Sequence, residues 1–266
     1  MGDQTQSGTV APTMVGRMTN PVPAPALSFK GVSMVYPDGT HALSETTFDV
    51  SPGEFVTVVG PSGCGKSTLL KIASGLNPPT TGRVEVDRTT LGYVFQDATL
   101  LQWRSVQRNV ELLAELQGMG KAERQKRADE TIKMVGLSGF EKKYPKQLSG
   151  GMKMRASLAR TLVLDPKVFL FDEPFGAVDE ITRERLNDEV ISLFGRERFA
   201  GLFITHSLYE AVFLSTRVLV MSARPGRIVA EFRIPFDYPR SPELRFKAEF
   251  AQLAGQISHE LRGAHA

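Results

Sequence analysis

The chain contains a single cysteine, Cys64, among its 266 residues. It therefore has neither an internal disulfide bond nor a zinc site built from several cysteines. No apolar run approaches the roughly 18 residues that indicate a membrane-spanning helix, and residues 1–26 lack the basic and apolar segments of a secretory signal. These absences predict a cytoplasmic protein that does not itself cross the membrane.

A strong excess of charge of one sign is also missing, since 32 Lys and Arg residues against 29 Asp and Glu residues give a net charge of +3. The one local basic cluster, in residues 121–130, alternates with acidic residues. This alternation is typical of a solvated helix face. No nucleic-acid partner is therefore expected.

The chain divides into three parts by composition. Residues 1–26 are rich in Pro, Thr, Gly and Ser and predict a flexible tail. Residues 27–240 alternate predicted strands (33–36, 46–50, 55–59, 168–171 and 202–204) with helical segments, and residues 106–164 are mostly helical. Such alternation predicts an α/β domain with a mainly parallel sheet, into which a helical subdomain of about residues 97–164 is inserted.

Residues 241–266 predict a C-terminal amphipathic helix. Ser241 is its expected N-cap and Pro242 its first residue. The apolar residues that fall on one face at helical spacing are Phe246, Phe250, Leu253, Ile257 and Leu261.

A glycine-rich turn follows the apolar strand 55–59. Its residues match the G-x-x-x-x-G-K-[ST] pattern and are Gly60, Pro61, Ser62, Gly63, Cys64, Gly65, Lys66, Ser67 and Thr68. In this pattern backbone N–H groups surround the β-phosphate and the helix start adds positive potential. Lys66 is expected to contact the β- and γ-phosphates, Ser67 to bind magnesium, and Thr68 to reach the α-phosphate, whereas Cys64 needs no thiol chemistry. The alternative is a tight strand–helix turn that contains lysine by coincidence.

The apolar strand 168–171 runs directly into Asp172 and Glu173. In phosphate-loop proteins an acid at the end of such a strand holds the magnesium ion of the nucleotide. Asp172 is the expected magnesium residue, and Glu173 could polarise the attacking water. Without the phosphate loop, a strand end that meets solvent would be the simpler interpretation.

Ser149, Gly150 and Gly151 precede a predicted helix at residues 153–164. Unpaired N–H groups and the helix dipole make such a start a second anion-binding terminus. Taken alone, the segment is better explained by an ordinary serine N-cap followed by flexible glycines.

With these segments in order, residues 27–228 resemble the ATP-binding-cassette (ABC) ATPase family. Tyr36 resembles the aromatic residue that stacks on adenine, and Gln96 the loop glutamine that approaches magnesium and senses the membrane subunit. Asp179 is similar to the residue of the loop that contacts the opposite subunit, and His206 to the switch histidine at the γ-phosphate. Taken singly, each residue also has an ordinary structural interpretation.

The resemblance implies a RecA-like phosphate-loop core, an N-terminal antiparallel β subdomain and an inserted helical signature subdomain. It further implies ATP and Mg²⁺ as cofactors, Glu173, His206 and Gln96 as catalytic residues, and Ser67, Gln96 and Asp172 at the metal. The expected assembly is a homodimer, or a pair with a similar subunit, bound to transmembrane permease subunits at the cytoplasmic side of the membrane. A solute-binding protein is an expected further partner.

Two positions depart from the commonest family pattern, namely Met152 after the two glycines and Val178 before Asp179. The segments that follow Met152 and Ala223 are similar to those of the nitrate, sulfonate and taurine importer branch. The alternatives left open are the ATPase of an exporter, a soluble ABC protein that acts on nucleic acid or ribosomes, and a nucleotide-dependent interaction protein without turnover.

Overall fold

The structure is a computed structural model that describes residues 24–176 and 178–264. Its strands, numbered in chain order, are β1 Leu27–Val35, β2 His41–Val50, β3 Phe55–Val59, β4 Thr81–Val86, β5 Leu91–Val94, β6 Val168–Asp172, β7 Ala200–Ile204, β8 Arg217–Met221 and β9 Ile228–Arg233. Its α-helices are α1 Lys66–Ala73, α2 Val106–Val110, α3 Leu112–Leu116, α4 Lys121–Met134, α5 Gly150–Leu162, α6 Glu180–Glu197, α7 Leu208–Leu214 and α8 Ala248–Gly263.

The N-terminal part forms a small antiparallel sheet with the strand order β2-β1-β4. Phe29 faces Phe48 across β1 and β2, and their rings stack with centroids 4.5 Å apart. The predicted strand at 33–36 belongs to the longer β1, but Tyr36 lies just beyond its end. The chain turns there, and the N–H of Gly39 donates to the carbonyl oxygen of Tyr36 at 2.9 Å.

The larger sheet has the order β5-β6-β7-β3-β8-β9, and only the β8–β9 pair is antiparallel. The predicted mainly parallel sheet is thus confirmed. Every residue of β3 and β7 is buried, as their apolar sequences indicate. Because the carboxyl ends of parallel strands meet at one edge, the ends of β3, β6 and β7 converge there. This convergence positions the candidate site.

Phenylalanine side chains cover one face of the larger sheet. Phe55 of β3 stacks on Phe171 of β6 with ring centroids 5.9 Å apart, and it meets Phe194 of α6 edge to face at 5.4 Å. These three side chains are almost completely buried. Burial of each contributes about 1.5–3 kcal/mol to stability. The cluster therefore holds α6 firmly against the strands whose ends form the site.

The predicted helical segment between β5 and β6 contains α2, α3, α4 and α5. The charged cluster of residues 121–130 lies on α4, where Arg127 pairs with Glu123 at 2.8 Å on the exposed face. Helix α5 begins at Gly150 rather than at the predicted Lys153. The two glycines form its first turn because the Ser149 side chain accepts a hydrogen bond from the Met152 N–H and so starts the helix earlier.

The predicted C-terminal amphipathic helix is present as α8, but the prediction that it starts at Pro242 is wrong. Residues Pro242–Phe246 form a 3₁₀ helix, the Ser241 side chain makes no cap hydrogen bond, and α8 starts only at Ala248. Lys247 has extended backbone angles and separates the two helices. As a result Phe246 is 87% exposed and does not share the buried face on which Phe250 and Ile257 pack.

The predicted N-terminal tail lies outside the described residues up to position 23, and β1 starts at Leu27. Within residues 24–176 and 178–264, no helix combines the length and the apolar character needed to span a membrane.

Candidate active site

The phosphate-loop residues connect β3 to α1, as the sequence predicted. Gly65 precedes the helix with φ 106°, and a Cβ atom there would lie 2.7 Å from the carbonyl oxygen of Ala42. Only glycine fits both constraints. The next residue, Lys66, is buried, and its Nζ donates to the carbonyl oxygens of Gly60 and Pro61, each at 2.9 Å. The ammonium group is therefore held inside the loop's own concave side.

Asp172, at the end of β6, lies against the start of α1. Its Oδ1 accepts a hydrogen bond from Ser67 Oγ at 2.8 Å, and its Oδ2 accepts one from Tyr93 Oη at 3.0 Å. Burial and then the neighbouring Asp172 charge raise the pKa of Tyr93, so its hydroxyl stays protonated and donates. The carboxylate is thus fixed from both sides.

Glu173 and His206 form the second contact of the site. Glu173 leaves β6 with φ 46°, while its N–H continues the sheet by donating to the Ile204 carbonyl oxygen at 3.0 Å. His206 follows β7, and its Nε2 lies 2.7 Å from Glu173 Oε1. Because the backbone turns at Glu173, the side chains of Asp172 and Glu173 point in different directions and make different contacts.

A cleft of about 290 Å³ opens above the phosphate loop. Its walls bring together half of the predicted site residues, and one unpredicted basic side chain, Arg224, joins them. The lining residues are Tyr36, Thr40, Ala42, Ser62, Gly63, Gly65, Lys66, Ser67, Thr68, Glu173, His206 and Arg224. Tyr36 Oη lies 3.2 Å from Thr68 Oγ1, which places its ring at one side of the cleft.

Gln96 and the three residues Ser149, Gly150 and Gly151 do not line this cleft. Gln96 is exposed after β5, and its Nε2 lies 3.6 Å from the position of a Cβ atom on Gly176. Ser149 and Gly150 are exposed at the start of α5, whereas Gly151 is buried against Thr182 of α6. Ser149, Gly150 and Gly151 therefore lie beside α6 and outside the cleft above the phosphate loop.

Asp179 begins α6 as its N-cap, and its side chain accepts from the Thr182 N–H at 3.0 Å. Backbone and side-chain hydrogen bonds from Thr182 lower the pKa of Asp179.

Cys64 is buried with its Sγ close to Gly60, and burial raises the pKa of its thiol. A buried thiol with a raised pKa has little thiolate character.

Several buried polar contacts around the site escaped the sequence analysis. Arg160 of α5 is buried and donates to the carbonyl oxygens of Ala98 and Thr99, at 3.0 and 2.9 Å, in the segment after Gln96. Glu210 of α7 is also buried, and it accepts a hydrogen bond from Thr205 Oγ1, next to His206. Tyr93 could have been found, since parallel strands that end together place it beside Asp172.

Arg183 of α6 links the loop before α6 to the first turn of α7. Its guanidinium donates to the carbonyl oxygens of Phe175 and Val178, at 3.3 and 3.2 Å. Its Nε also lies 3.7 Å from Glu210 Oε1. The contact with Glu210 joins residues that are distant in the chain, and no local pattern in the sequence indicates it.

Comparison with known proteins assigns the family. The family model described as ABC transporter matches residues 43–176. A taurine import ATP-binding protein of Rhizobium johnstonii is 42% identical over 82% of this chain and 87% of its own length. A nitrate import ATP-binding protein of Synechocystis is 43% identical over 84% of this chain and 88% of its own length.

Two further proteins extend the comparison. An aliphatic sulfonates import ATP-binding protein of Bacillus cereus is 41% identical over 81% of this chain and 88% of its own length. A solved dimeric ATP-binding cassette in a post-hydrolysis state, bound to ADP and phosphate, superposes with a TM-score of 0.71 and 31% identity over 79% of this chain and 100% of that chain. The chain therefore belongs to the ABC transporter family and is an ATP-binding cassette ATPase.

Proposed function

We propose that this ATPase energises a transporter that imports a small anionic solute such as nitrate, a sulfonate or taurine. The observation that carries its motor function is the convergence of Lys66, the Ser67–Asp172 pair and the Glu173–His206 pair at one edge of the sheet. The solute class rests on the names of the similar import proteins.

The phosphate loop is proposed to hold the triphosphate. Lys66 already sits within the concave side of the loop, and its ammonium group would exchange the carbonyl contacts of Gly60 and Pro61 for the β- and γ-phosphates. Thr68 would reach the α-phosphate, and Tyr36 would stack on the base at the side of the cleft.

The Ser67 hydroxyl and the Asp172 carboxylate fit a magnesium ion. Both donors are oxygen atoms, which magnesium prefers, and they lie 2.8 Å apart beside the phosphate loop. Mg²⁺ in nucleotide sites usually takes only one or two protein ligands besides phosphate and water. When bound, the ion would neutralise charge on the β- and γ-phosphates. Gln96 is proposed to approach the same ion from its loop.

Glu173 is proposed as the general base and His206 as its partner at the γ-phosphate. The contact of 2.7 Å between them orients the Glu173 carboxylate toward the cleft. In that position it can accept a proton from the attacking water, while the imidazole can donate to the γ-phosphate. Phosphoryl transfer depends mostly on such positioning and on charge stabilisation.

The active unit is proposed to be a homodimer, or a pair with a similar subunit. Ser149, Gly150 and Gly151 of one protomer would cap the ATP bound by Lys66 and Ser67 of the other. In the first turn of α5, Ser149 and Gly150 are exposed and Gly151 is buried. A helix start leaves its first N–H groups without intrahelical partners, and these groups would serve this role. Asp179, at the start of α6, would contact the opposite protomer. The solved relative that is described as dimeric supports this arrangement.

The helical subdomain and the loop of Gln96 are proposed to dock on the permease at the cytoplasmic side of the membrane. Large apolar side chains are exposed there, with Trp103 and Leu116 accessible for 74% and 75% of their surface. Single exposed apolar residues are common, but an exposed tryptophan in the segment that follows Gln96 suits a helix of a membrane subunit. A solute-binding protein would complete the system.

The proposed base is tested by Glu173→Gln in the full chain. Steady ATP hydrolysis should fall by about 10²-fold or more because a general base is lost, while ATP still binds and the ATP-dependent dimer persists. Glu184→Gln, an exposed carboxylate of α6, is the matched control and should leave turnover unchanged. Turnover near the wild-type rate in the Glu173 variant would remove this residue from the role.

The transport proposal is tested by reconstituting the chain with its permease and measuring ATPase activity with nitrate, taurine and a sulfonate. Stimulation by one of these solutes on the import side is expected. Stimulation only by solute on the opposite side would mean export, and stimulation by RNA or ribosomes without a permease would mean a non-transport ATPase; either result contradicts the proposal.

A further inference from the structure

The turn between β8 and β9 packs directly against the phosphate loop. The N–H of Gly226 donates to the Ala42 carbonyl oxygen at 3.0 Å, and the Ser44 N–H donates to the Gly226 carbonyl oxygen at 2.9 Å. A Cβ atom on Gly226 would lie 2.0 Å from the carbonyl oxygen of Cys64. Only glycine fits so close to the phosphate loop, and the turn is therefore held at a fixed distance from it.

This turn places Arg224 at the cleft. The Nε of Arg224 donates to the Gly63 carbonyl oxygen at 2.9 Å, although these residues are 161 positions apart. The exposed guanidinium lines the same cleft as Lys66 and Tyr36. Within the described residues, no carboxylate lies within 4.0 Å of it. The charge is thus not neutralised by the protein at ion-pair distance.

From this geometry we propose that Arg224 is a further nucleotide-contacting residue that binds the phosphate chain of ATP. The proposal rests on the nucleotide site described above. A guanidinium fixed at one N–H by Gly63 still offers its other N–H groups to a ligand. Its planar fork matches phosphate oxygens better than an ammonium group does.

The alternative role for Arg224 is purely structural, in which it only supports the carbonyl of Gly63. The positive charge of Arg224 distinguishes the two roles. A hydrogen bond to the Gly63 carbonyl oxygen needs only an N–H donor, whereas binding to phosphate also needs the positive charge. Arg224→Gln keeps an amide donor without charge, and Arg224→Lys keeps the charge without the fork. Arg227→Gln, an exposed arginine of the same turn that does not line the cleft, is the matched control.

The experiment measures dissociation constants of the purified full chain for ATP, ADP and GTP by calorimetry. Arg224→Gln should weaken the binding of ATP, ADP and GTP by about tenfold each, equivalent to about 1.4 kcal/mol. Arg224→Lys should weaken the binding of each nucleotide by about threefold. Arg227→Gln should stay within about twofold of wild type because its side chain is outside the cleft. ATP affinity of Arg224→Gln should also depend less on salt, since one phosphate-binding charge is gone.

Two results overturn the proposal. If Arg224→Gln binds ATP as tightly as Arg227→Gln does, Arg224 has only a structural role. If Arg224→Gln loses affinity for ATP but not for GTP, Arg224 contacts the adenine base and not the phosphate chain. Lys66→Ala serves as the reference for the site. If Lys66→Ala abolishes ATP binding while Arg224→Gln does not weaken it, only this proposal fails. If neither weakens binding, the phosphate-loop site itself is wrong.

Discussion

The hydroxyl of Tyr93 is expected to set the affinity of the proposed magnesium site through Asp172. The hydroxyl donates to Oδ2 at 3.0 Å while Ser67 donates to Oδ1 at 2.8 Å, so the carboxylate is oriented by two donors. Tyr93→Phe removes only the oxygen atom. The ring keeps its stack on Phe95, whose centroid is 4.1 Å away. The substitution is therefore a clean test of the hydrogen bond.

The size of the effect follows from the kind of contact that is lost. A hydrogen bond to a charged group contributes about 1.5–3 kcal/mol, and loss of such a supporting contact typically costs about 10- to 100-fold in metal affinity. Asp172 is only partly buried, so water can replace part of the lost bond. We therefore expect about a tenfold higher Mg²⁺ concentration at half-saturation, at the lower end of that range.

The assay titrates Mg²⁺ at fixed ATP and measures both nucleotide binding by fluorescence and the rate of ATP hydrolysis. ATP affinity without Mg²⁺ should be unchanged in Tyr93→Phe, because the hydroxyl contacts the carboxylate and not the phosphate loop. Phe95→Leu removes the ring stack but keeps the hydroxyl, and it should retain the wild-type Mg²⁺ requirement. A Mg²⁺ requirement in Tyr93→Phe that is unchanged or lower refutes the reasoning.

Three further substitutions test the surrounding structure. Arg240→Met should lower the free energy of unfolding by about 3 kcal/mol, measured by urea denaturation, because the buried guanidinium donates to carbonyl oxygens at the end of α7; an unchanged unfolding midpoint would contradict this. Gly151→Ala should destabilise the protein by about 1–3 kcal/mol, because the new Cβ atom would lie 2.5 Å from Thr182 Cγ2. Gly150→Ala should not destabilise it, because a Cβ atom there would lie 3.8 Å from its nearest neighbour. Equal thermal unfolding midpoints of the two variants would refute this difference. Burial raises the pKa of Glu210 above its usual value of 4.5, so its contribution to stability falls as pH rises from that value toward the raised pKa. The stability of wild type minus that of Glu210→Gln should therefore decrease as pH rises above 4.5, and parallel pH profiles would disprove the assignment.

The sequence predicted the parts of the fold that local pattern determines. The strand at 55–59, the phosphate-loop turn and the following helix are contiguous, so a motif and its periodicity place them together. The same holds for the end of β6, where Asp172 follows four apolar residues. These segments account for most of the cleft.

The sequence-based predictions failed where the backbone conformation or contacts between distant residues overrode the local sequence pattern. Phe246 has the right helical spacing, but the extended backbone of Lys247 turns it into solvent. Helix α5 starts at Gly150 because a serine cap outweighs the low helix propensity of glycine. The contact of Arg224 with Gly63 joins residues 161 positions apart, and no periodicity in a single sequence reports such a pairing.

Helix α5 carries Ser149 at its first turn and Arg160 near its last. With 13 residues it is about 20 Å long at 1.5 Å per residue. Arg160 donates hydrogen bonds to the carbonyl oxygens of Ala98 and Thr99. The segment after Gln96 is therefore bonded to one end of helix α5, and Ser149 lies at the other end of the same helix. A displacement of the segment after Gln96 is therefore expected to shift helix α5 and, with it, the proposed ATP-capping residues at its start.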